Sequence, residues 1–280
     1  MRIILKVIQS MKLKKFGIVF LIIFILLVIY VTLGFVSPLT TTKYDLTMNT
    51  LPAQFDGYKI VQISDFHCKE FGDNEGSLLE QIRNASPDMI VLTGDIVDEE
   101  HTVDNADLLI KGIAELAPCF YVTGNHEFYD GAPYDEFRDI CIENGVKVLD
   151  NETVDVEKDG AVIKVSGLDF VDSTRSLKED LGYADPAYFN ILLYHDASKF
   201  DYLSEFGYDL VFTGHIHGGL VRIPLMGGLF ASDYTFFPSY DKGIFKDKRS
   251  VMVESAGLGD ARIPRWNNPR EVVEVTLHVE

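Results

Sequence analysis

Residues 58–67 read YKIVQISDFH, an apolar run followed at once by an aspartate and a histidine. The same arrangement returns in MIVLTGDIVD (89–98), FYVTGNHE (120–127) and LVFTGHIH (210–217). Each run has the length of a strand buried on both faces, and such strands are typical of sheets covered by helices. We therefore predict an α/β domain in which polar side chains collect where strands end.

Further apolar runs extend this pattern along the chain. Strands are predicted at residues 58–63, 89–92, 120–122, 162–165, 191–193, 210–212, 251–253 and 272–279. Helices are predicted at 78–84, 105–116 and 134–144, the second with apolar side chains at helical spacing. Strand and helix alternate early in the chain, and strands dominate late.

The polar residues after these strands are predicted to share one location, because ligands bind at the carboxyl edge of open α/β sheets. Five of the seven histidines fall there, namely His67, His126, His195, His215 and His217. Neutral imidazole and carboxylate are good ligands for Zn, Mn and Fe. The Asp-x-His and His-x-His segments therefore predict a metal site.

In chain order, the motifs read D-x-H (Asp65, His67), G-D-x-x-D (Asp95, Asp98), G-N-H-E (Asn125, His126), H (His195) and G-H-x-H (His215, His217). This series resembles the calcineurin-like metallophosphoesterase superfamily. Residues 218–224 and 257–267 resemble its membrane-associated YkuE/YaeI-like branch. The resemblance implies a four-layer αββα sandwich. Ala197 and Leu220 depart from residues common in the family, but neither is a ligand position.

The resemblance also implies roles for individual residues. It assigns a first metal ion to Asp65, His67, Asp95 and His217, and a second to Asp95, Asn125, His195 and His215. Two ions about 3.5–4 Å apart would activate a bridging hydroxide for in-line attack on phosphorus. His126 would act as acid or charge stabiliser, and Asp98 would accept a hydrogen bond from it. We expect Mn, Zn or Fe, because such donor sets bind all three.

Three arginines are candidate substrate contacts, because a guanidinium matches phosphate oxygens in a bidentate fashion. They are Arg222, Arg262 and Arg265, and a surface salt bridge is the alternative for each. The aromatic stretch 225–245 forms either an apolar lip suited to a lipid-linked substrate or a packed hairpin.

Residues 16–36 form an uncharged apolar segment, which at 1.5 Å per residue spans about 30 Å and can cross a bilayer. Five positive charges in residues 1–15 precede it, and only Lys43 closely follows. The positive-inside rule then places the N-terminus in the cytoplasm and the catalytic domain outside it. A cleaved signal peptide is the alternative.

Residues 37–53 are predicted as a linker, either a tether or a first edge strand, before a metallophosphoesterase domain at 54–280.

The formal charge is −18, which leaves −23 outside the first fifteen residues. A field of that sign repels polyanions, so we expect no nucleic-acid partner.

We predict hydrolysis of a phosphomonoester, phosphodiester or pyrophosphate in a small-molecule or lipid-linked substrate. One alternative is a UDP-2,3-diacylglucosamine-type pyrophosphatase, whose reaction faces the cytoplasm, away from the predicted topology. The other is a non-catalytic metal-binding module. No pattern predicts an oligomeric state.

Overall fold

The structure is a computed structural model that describes residues 2–170, 177–232 and 234–280, with only the backbone of residues 2–10 and 12–14. Its α-helices are α1 (Arg2–Leu33), α2 (Gly76–Ala85), α3 (Asp104–Ala114), α4 (Tyr134–Glu143) and α5 (Phe200–Leu203). The first seven strands are β1 (Leu39–Met48), β2 (Tyr58–Ile63), β3 (Met89–Thr93), β4 (Cys119–Val122), β5 (Lys147–Val148), β6 (Glu152–Lys158) and β7 (Ala161–Gly167). The others are β8 (Phe189–Asp196), β9 (Leu210–Gly214), β10 (Val221–Ile223), β11 (Gly227–Phe230), β12 (Gly243–Asp247), β13 (Ser250–Glu254) and β14 (Arg270–Val279).

Two six-stranded sheets carry the fold. Sheet A has the order β1-β14-β2-β3-β4-β5, and sheet B has the order β12-β13-β9-β8-β7-β6. The strands β2, β3 and β4 are parallel to one another, as are β7, β8 and β9. The motifs quoted above are therefore divided between two sheets, three of them in sheet A and two in sheet B.

The hydrophobic core explains why the sheets stack. Successive strand residues point to opposite faces, so Ile60 packs between the two sheets while its neighbour Val61 packs outward against α2 and α3. On the far side of sheet B, Val211 and Met252 pack against Phe200 of α5. Burial of apolar surface on both faces of both sheets gives four layers. The predicted αββα sandwich is confirmed.

Every strand and helix predicted from residue 58 onward is present, with boundaries that differ by at most three residues, whereas the helix predicted at residues 16–36 begins fourteen residues earlier, at Arg2. The strands that were not predicted are the more exposed ones. In β6, for example, no residue is fully buried, and charged residues occupy four of its seven positions. Such a strand lacks the continuous apolar run on which the prediction relied.

The N-terminal helix α1 ends at Leu33, three residues before the predicted end of the apolar segment. Its stretch Lys15–Leu33 is long and apolar enough to cross a membrane, with a mean hydropathy of 3.1, and none of it is buried against the rest of the chain. The side chains of residues 1–10 and 12–14, where most of the predicted basic charges lie, are outside the described set.

The predicted linker 37–53 contains the edge strand β1, so the edge-strand alternative is the one observed. β1 pairs in parallel with β14 from Leu39↔Arg270 to Met48↔Val279. β-Branched residues, here Thr40, Thr41 and Thr42, favour extended backbone over a flexible tether. The ordered fold therefore begins before residue 54.

Candidate metal centre

The site lies where the carboxyl ends of strands from both sheets meet. A cavity of about 930 Å³ opens there. Its lining includes these predicted site residues: His67, Asp95, Asp98, Asn125, His126, His215, His217 and Arg262. The two remaining predicted ligands, Asp65 and His195, are completely buried and contact residues that line the cavity. The structure thus brings all seven predicted ligands together.

One group of potential ligands consists of Asp65, His67 and His217. Their ligand atoms all lie within 4.8 Å of one another. Nε2 of His217 is 3.4 Å from Oδ1 of Asp65, and the rings of His67 and His217 stack with their centroids 5.3 Å apart. This arrangement can surround a single cation.

A second group consists of Asp95, His195 and His215, again with ligand atoms within 4.8 Å of one another. Oδ2 of Asp95 is 3.1 Å from Nε2 of His195, and that nitrogen is 3.2 Å from Nδ1 of His215. The same Oδ2 is 3.9 Å from Nε2 of His67 in the first group. Asp95 therefore contacts both groups and can bridge two ions.

Two buried atoms in the site fit a metal ion. Among the described residues, Nε2 of His67 and Oδ1 of Asn125 are buried without a hydrogen-bond partner. Nδ2 of Asn125 donates to the hydroxyl of Tyr129 at 3.0 Å, which directs the free oxygen away from that partner. Buried polar atoms without partners are costly, and a cation would supply the missing interaction. The imidazole, carboxylate and amide donors suit Mn, Zn or Fe.

The loops that carry these side chains have unusual backbone conformations. Five of the predicted ligands have a positive φ, namely Asp65 (49°), His67 (49°), Asp95 (52°), His215 (78°) and His217 (50°). Strained backbone of this kind concentrates at functional sites. Close approach of the loops also requires Gly124, because a Cβ at that position would lie 2.3 Å from Oδ1 of Asp95.

Hydrogen bonds orient the histidine rings. His195 Nδ1 lies 2.7 Å from the carbonyl oxygen of Thr93, which leaves Nε2 directed at Asp95. Burial lowers the pKa of His217 well below its usual value, and the nearby Arg265 guanidinium adds to the shift. Burial, aided by His195, also lowers the pKa of His215. Both rings are therefore held neutral, the form that binds metal.

Glu127 is a site residue to which the sequence motif gave no role. Its buried carboxylate accepts hydrogen bonds from the backbone N–H groups of Asp95, Ile96 and Gly124 at 2.9, 2.7 and 2.7 Å. It thereby ties the loop after β3 to the loop after β4. Glu127 is the last residue of the G-N-H-E motif, so the motif marks its position in the sequence. The motif alone does not show which groups the Glu127 side chain contacts.

The predicted hydrogen bond between His126 and Asp98 is wrong. Nδ1 of His126 lies 2.8 Å from Oε2 of Glu99 instead. Asp98 accepts the backbone N–H groups of Glu100 and His101 at 3.0 Å each, and this turn directs its carboxylate toward His67, 3.3 Å away. Although burial opposes the shift, hydrogen bonds with His67 and His101 lower the pKa of Asp98 to about 2.

The three predicted arginines lie in different environments. Arg262 is exposed and lines the cavity. Arg222 forms a 2.9 Å ion pair with Asp241. Arg265 is buried, and its guanidinium donates to the carbonyl of Gly259 at 2.9 Å and to Nδ1 of His217 at 3.1 Å.

The Arg265 contact has a consequence for His217. A guanidinium can only donate, so in the neutral ring the proton lies on Nε2, which faces Asp65. Coordination of a metal through Nε2 would require this proton to move to Nδ1, where it would compete with the Arg265 donor, or to leave the ring. Arg265 is therefore placed to influence the tautomer of His217 from the side opposite the cavity.

Comparison with known proteins gives consistent matches. The profile of the family described as calcineurin-like phosphoesterase matches residues 58–219. The chain is 28% identical to "Uncharacterized metallophosphoesterase YkuE" of Bacillus subtilis, covering 85% of each chain. It is 26% identical to "Transmembrane protein with metallophosphoesterase domain" of Bos taurus, covering 66% of this chain and 46% of that protein. It is 24% identical to "UDP-2,3-diacylglucosamine pyrophosphatase LpxG" of Chlamydia muridarum, covering 84% of this chain and 88% of that protein.

Proposed function

Because the chain belongs to the calcineurin-like phosphoesterase family, we propose that its metal centre hydrolyses a phosphomonoester, phosphodiester or pyrophosphate with the help of two divalent ions. The family and the metallophosphoesterase relatives indicate a phosphoester hydrolase. The observation that carries the proposal is the position of Asp95, whose carboxylate contacts both ligand groups.

We assign the first ion to Asp65, His67, Asp95 and His217, and the second to Asp95, Asn125, His195 and His215. The two ligand groups and the unpartnered atoms of His67 and Asn125 support this assignment. When bound, two such ions supply Lewis acidity and lower the pKa of a coordinated water. The protein residues fix where that chemistry takes place.

His126 is the proposed acid. It lines the cavity, and its ring lies at nearly a right angle to that of His67, with centroids 4.6 Å apart. The Glu99 carboxylate contacts Nδ1 of His126, and this contact holds the His126 ring in place. Nε2 of His126 is then free to donate a proton to the leaving oxygen. Asp98 supports the first ion instead, because its carboxylate contacts Nδ1 of His67.

Arg262 is the arginine that we propose for phosphate binding, since it lines the cavity and a guanidinium pairs well with phosphate oxygens. Arg222 and Arg265 have protein partners and support the site from outside the cavity. The cavity volume of about 930 Å³ suits a small phosphorylated molecule or the headgroup of a lipid.

The chain is proposed to be a membrane protein, with α1 as its span, a cytoplasmic N-terminus and the catalytic domain outside the cytoplasm. The apolar stretch Lys15–Leu33 and the transmembrane relative support membrane association. The basic charge before this stretch supports the orientation. A reporter fused after Glu280 tests it: an active periplasmic-type reporter is expected, and an active cytoplasmic one contradicts the orientation.

A lipid-linked pyrophosphate is the second candidate substrate. The similarity to the LpxG relative favours it. A cytoplasmic location of Glu280, together with cleavage of a nucleotide-linked acylated sugar, would support this candidate over the general phosphoesterase.

The experiment that tests the proposed function uses the full chain purified in detergent. After chelation, Mn²⁺, Zn²⁺ or Fe²⁺ is restored, and hydrolysis of p-nitrophenyl phosphate and bis-p-nitrophenyl phosphate is measured. We expect metal-dependent hydrolysis of at least one ester. Failure of every metal and both esters, while calorimetry still shows metal binding, would contradict the proposal.

A further inference from the structure

A set of large apolar side chains lies exposed beside the cavity. It consists of Leu225, Met226, Tyr234, Phe236 and Phe237, which we call the apolar rim. All are more than half exposed, and Leu225 is completely so, at 108% of its reference area. Leu225 also has a φ of 69° at the tip of the β10–β11 hairpin, a conformation unfavourable for leucine. Clustered apolar exposure of this kind marks an interaction surface.

The apolar rim is continuous with the candidate metal centre. Tyr234 lines the cavity. The ring of Phe230 in β11 contacts Tyr234 and Phe236, with centroid distances of 5.9 and 4.8 Å. The backbone N–H of Phe237 donates to the carbonyl of Leu229 in the same strand at 3.0 Å. Whatever covers the rim therefore lies at the mouth of the cavity.

The apolar rim is also tied to the end of α1. Arg222 of β10 donates its backbone N–H to the carbonyl of Trp266 at 3.0 Å. The indole N–H of Trp266 donates to the carbonyl of Val31 at 2.9 Å, and its ring packs edge-on against Tyr30 at 5.4 Å. The backbone N–H of Asn267 donates to the carbonyl of Gly34 at 2.6 Å. The hairpin is thus held beside the last turn of α1.

We propose that the apolar rim inserts into the lipid bilayer that α1 spans, so that the cavity opens at the membrane surface. Tyr and Trp prefer the membrane–water interface, and Tyr30 and Trp266 place that level at the end of α1, next to the hairpin. The strongly acidic charge of the domain gives no electrostatic attraction to lipid headgroups. Apolar contact and the adjacent helix therefore hold the rim in place. The inference rests on the proposed membrane span, and not on catalysis.

The test places a fluorophore on the apolar rim of the full chain in phosphatidylcholine vesicles. Leu225→Cys and, separately, Met226→Cys carry an environment-sensitive label, and some lipids carry a nitroxide quencher near the headgroup. The native cysteines Cys68, Cys119 and Cys141 are buried, so the unsubstituted chain shows the labelling background. Ile142→Cys is the matched control. It is 52% exposed on α4, which packs against β5 at the opposite edge of sheet A from β1.

We expect the label at Leu225 or Met226 to be quenched by nitroxide lipid at least twice as strongly as the label at Ile142. It should also be protected from iodide in the water. Equal quenching at the three positions overturns the inference. Protection from iodide without lipid quenching also overturns the inference, because it would indicate that a second copy or another protein covers the rim. Ester hydrolysis measured in the same vesicles separates this result from the proposed function, because insertion does not require turnover.

Discussion

The buried carboxylate of Glu127 accepts a hydrogen bond from the backbone N–H of Asp95, with an N···O distance of 2.9 Å. It also accepts hydrogen bonds from the backbone N–H groups of Ile96 and Gly124, both at 2.7 Å. A single acceptor thus fixes two loops that carry Asp95 and Asn125. The position of the candidate bridging carboxylate therefore depends on a residue that is not itself one of the predicted ligands.

Substitution of Glu127 by Gln should disturb this arrangement although the side chain keeps its size. The Gln amide nitrogen is a donor and would face backbone N–H groups. We expect a loss of about 1–3 kcal/mol in the free energy of unfolding. Weaker Mn²⁺ binding should accompany this loss. Thermal unfolding and calorimetry measure the two effects. Glu115→Gln, at an exposed position after α3, should change neither. An unchanged metal affinity in Glu127→Gln would refute the positioning role.

Asp95→Asn should impair binding of both ions, because the Asp95 carboxylate contacts both ligand groups. We expect ester hydrolysis to fall by a factor of about a thousand or more, given the several kcal/mol that metal ions contribute to such reactions. The bound-metal content measured by elemental analysis should fall as well. Asp135→Asn, exposed at the start of α4, serves as the control and should keep full activity. Full metal content and activity in Asp95→Asn would disprove the bridging assignment.

His126→Ala should lower kcat by a factor of about 10²–10⁴ with little change in metal content, because the ring is proposed to donate a proton and not to bind an ion. Glu99→Gln should lower kcat in the same direction but less, since Glu99 only holds the ring. Asp98→Asn should instead weaken metal binding, because its carboxylate contacts His67. Steady-state kinetics and metal titration of the three variants distinguish these roles. A loss of kcat in Asp98→Asn without weaker metal binding would restore the role predicted from sequence.

Glu75 lies outside the candidate metal centre and allows a pH-dependent test of the stability of the fold. Burial, with a contribution from Glu70, raises the pKa of Glu75 to about 7, although the backbone N–H of Phe71 opposes the shift. The folded protein holds this proton more tightly than the unfolded chain does. Stability is therefore highest below the unfolded pKa and falls as the pH rises toward 7. Above pH 7, ionisation of Glu75 lowers the free energy of unfolding by about 1–2 kcal/mol, a value that allows for partial hydration of the carboxylate.

Glu75→Gln should remove that cost while Gln still accepts the Phe71 N–H. The melting temperature of the variant should exceed that of the wild type at pH 8, and the difference should shrink toward pH 5. Glu80→Gln, exposed on α2, should show no such pH-dependent difference. A constant difference between pH 5 and pH 8 would show that ionisation of Glu75 does not limit stability.

Much of the fold could be predicted because buried strands leave a local mark. Runs such as 58–63 and 210–212 are apolar on both faces, and they form β2 and β9. The half-exposed strands β6, β10 and β11 carry no such run, because their stability depends on neighbours that are distant in sequence. The edge strand β1 was one of two alternatives, since only its pairing with β14 separates a strand from a tether.

Residue types and their spacing were sufficient to predict which side chains gather at strand ends, and hence the family and the candidate ligands from Asp65 to His217. Only the folded chain shows that these ends belong to two sheets, and that His126 pairs with Glu99 and not with Asp98. Only the fold, likewise, brings Trp266 between the apolar rim and α1. Residue type and spacing fix which atoms can bind. The direction of a side chain in a tight turn, by contrast, depends on backbone angles set by contacts across the whole fold.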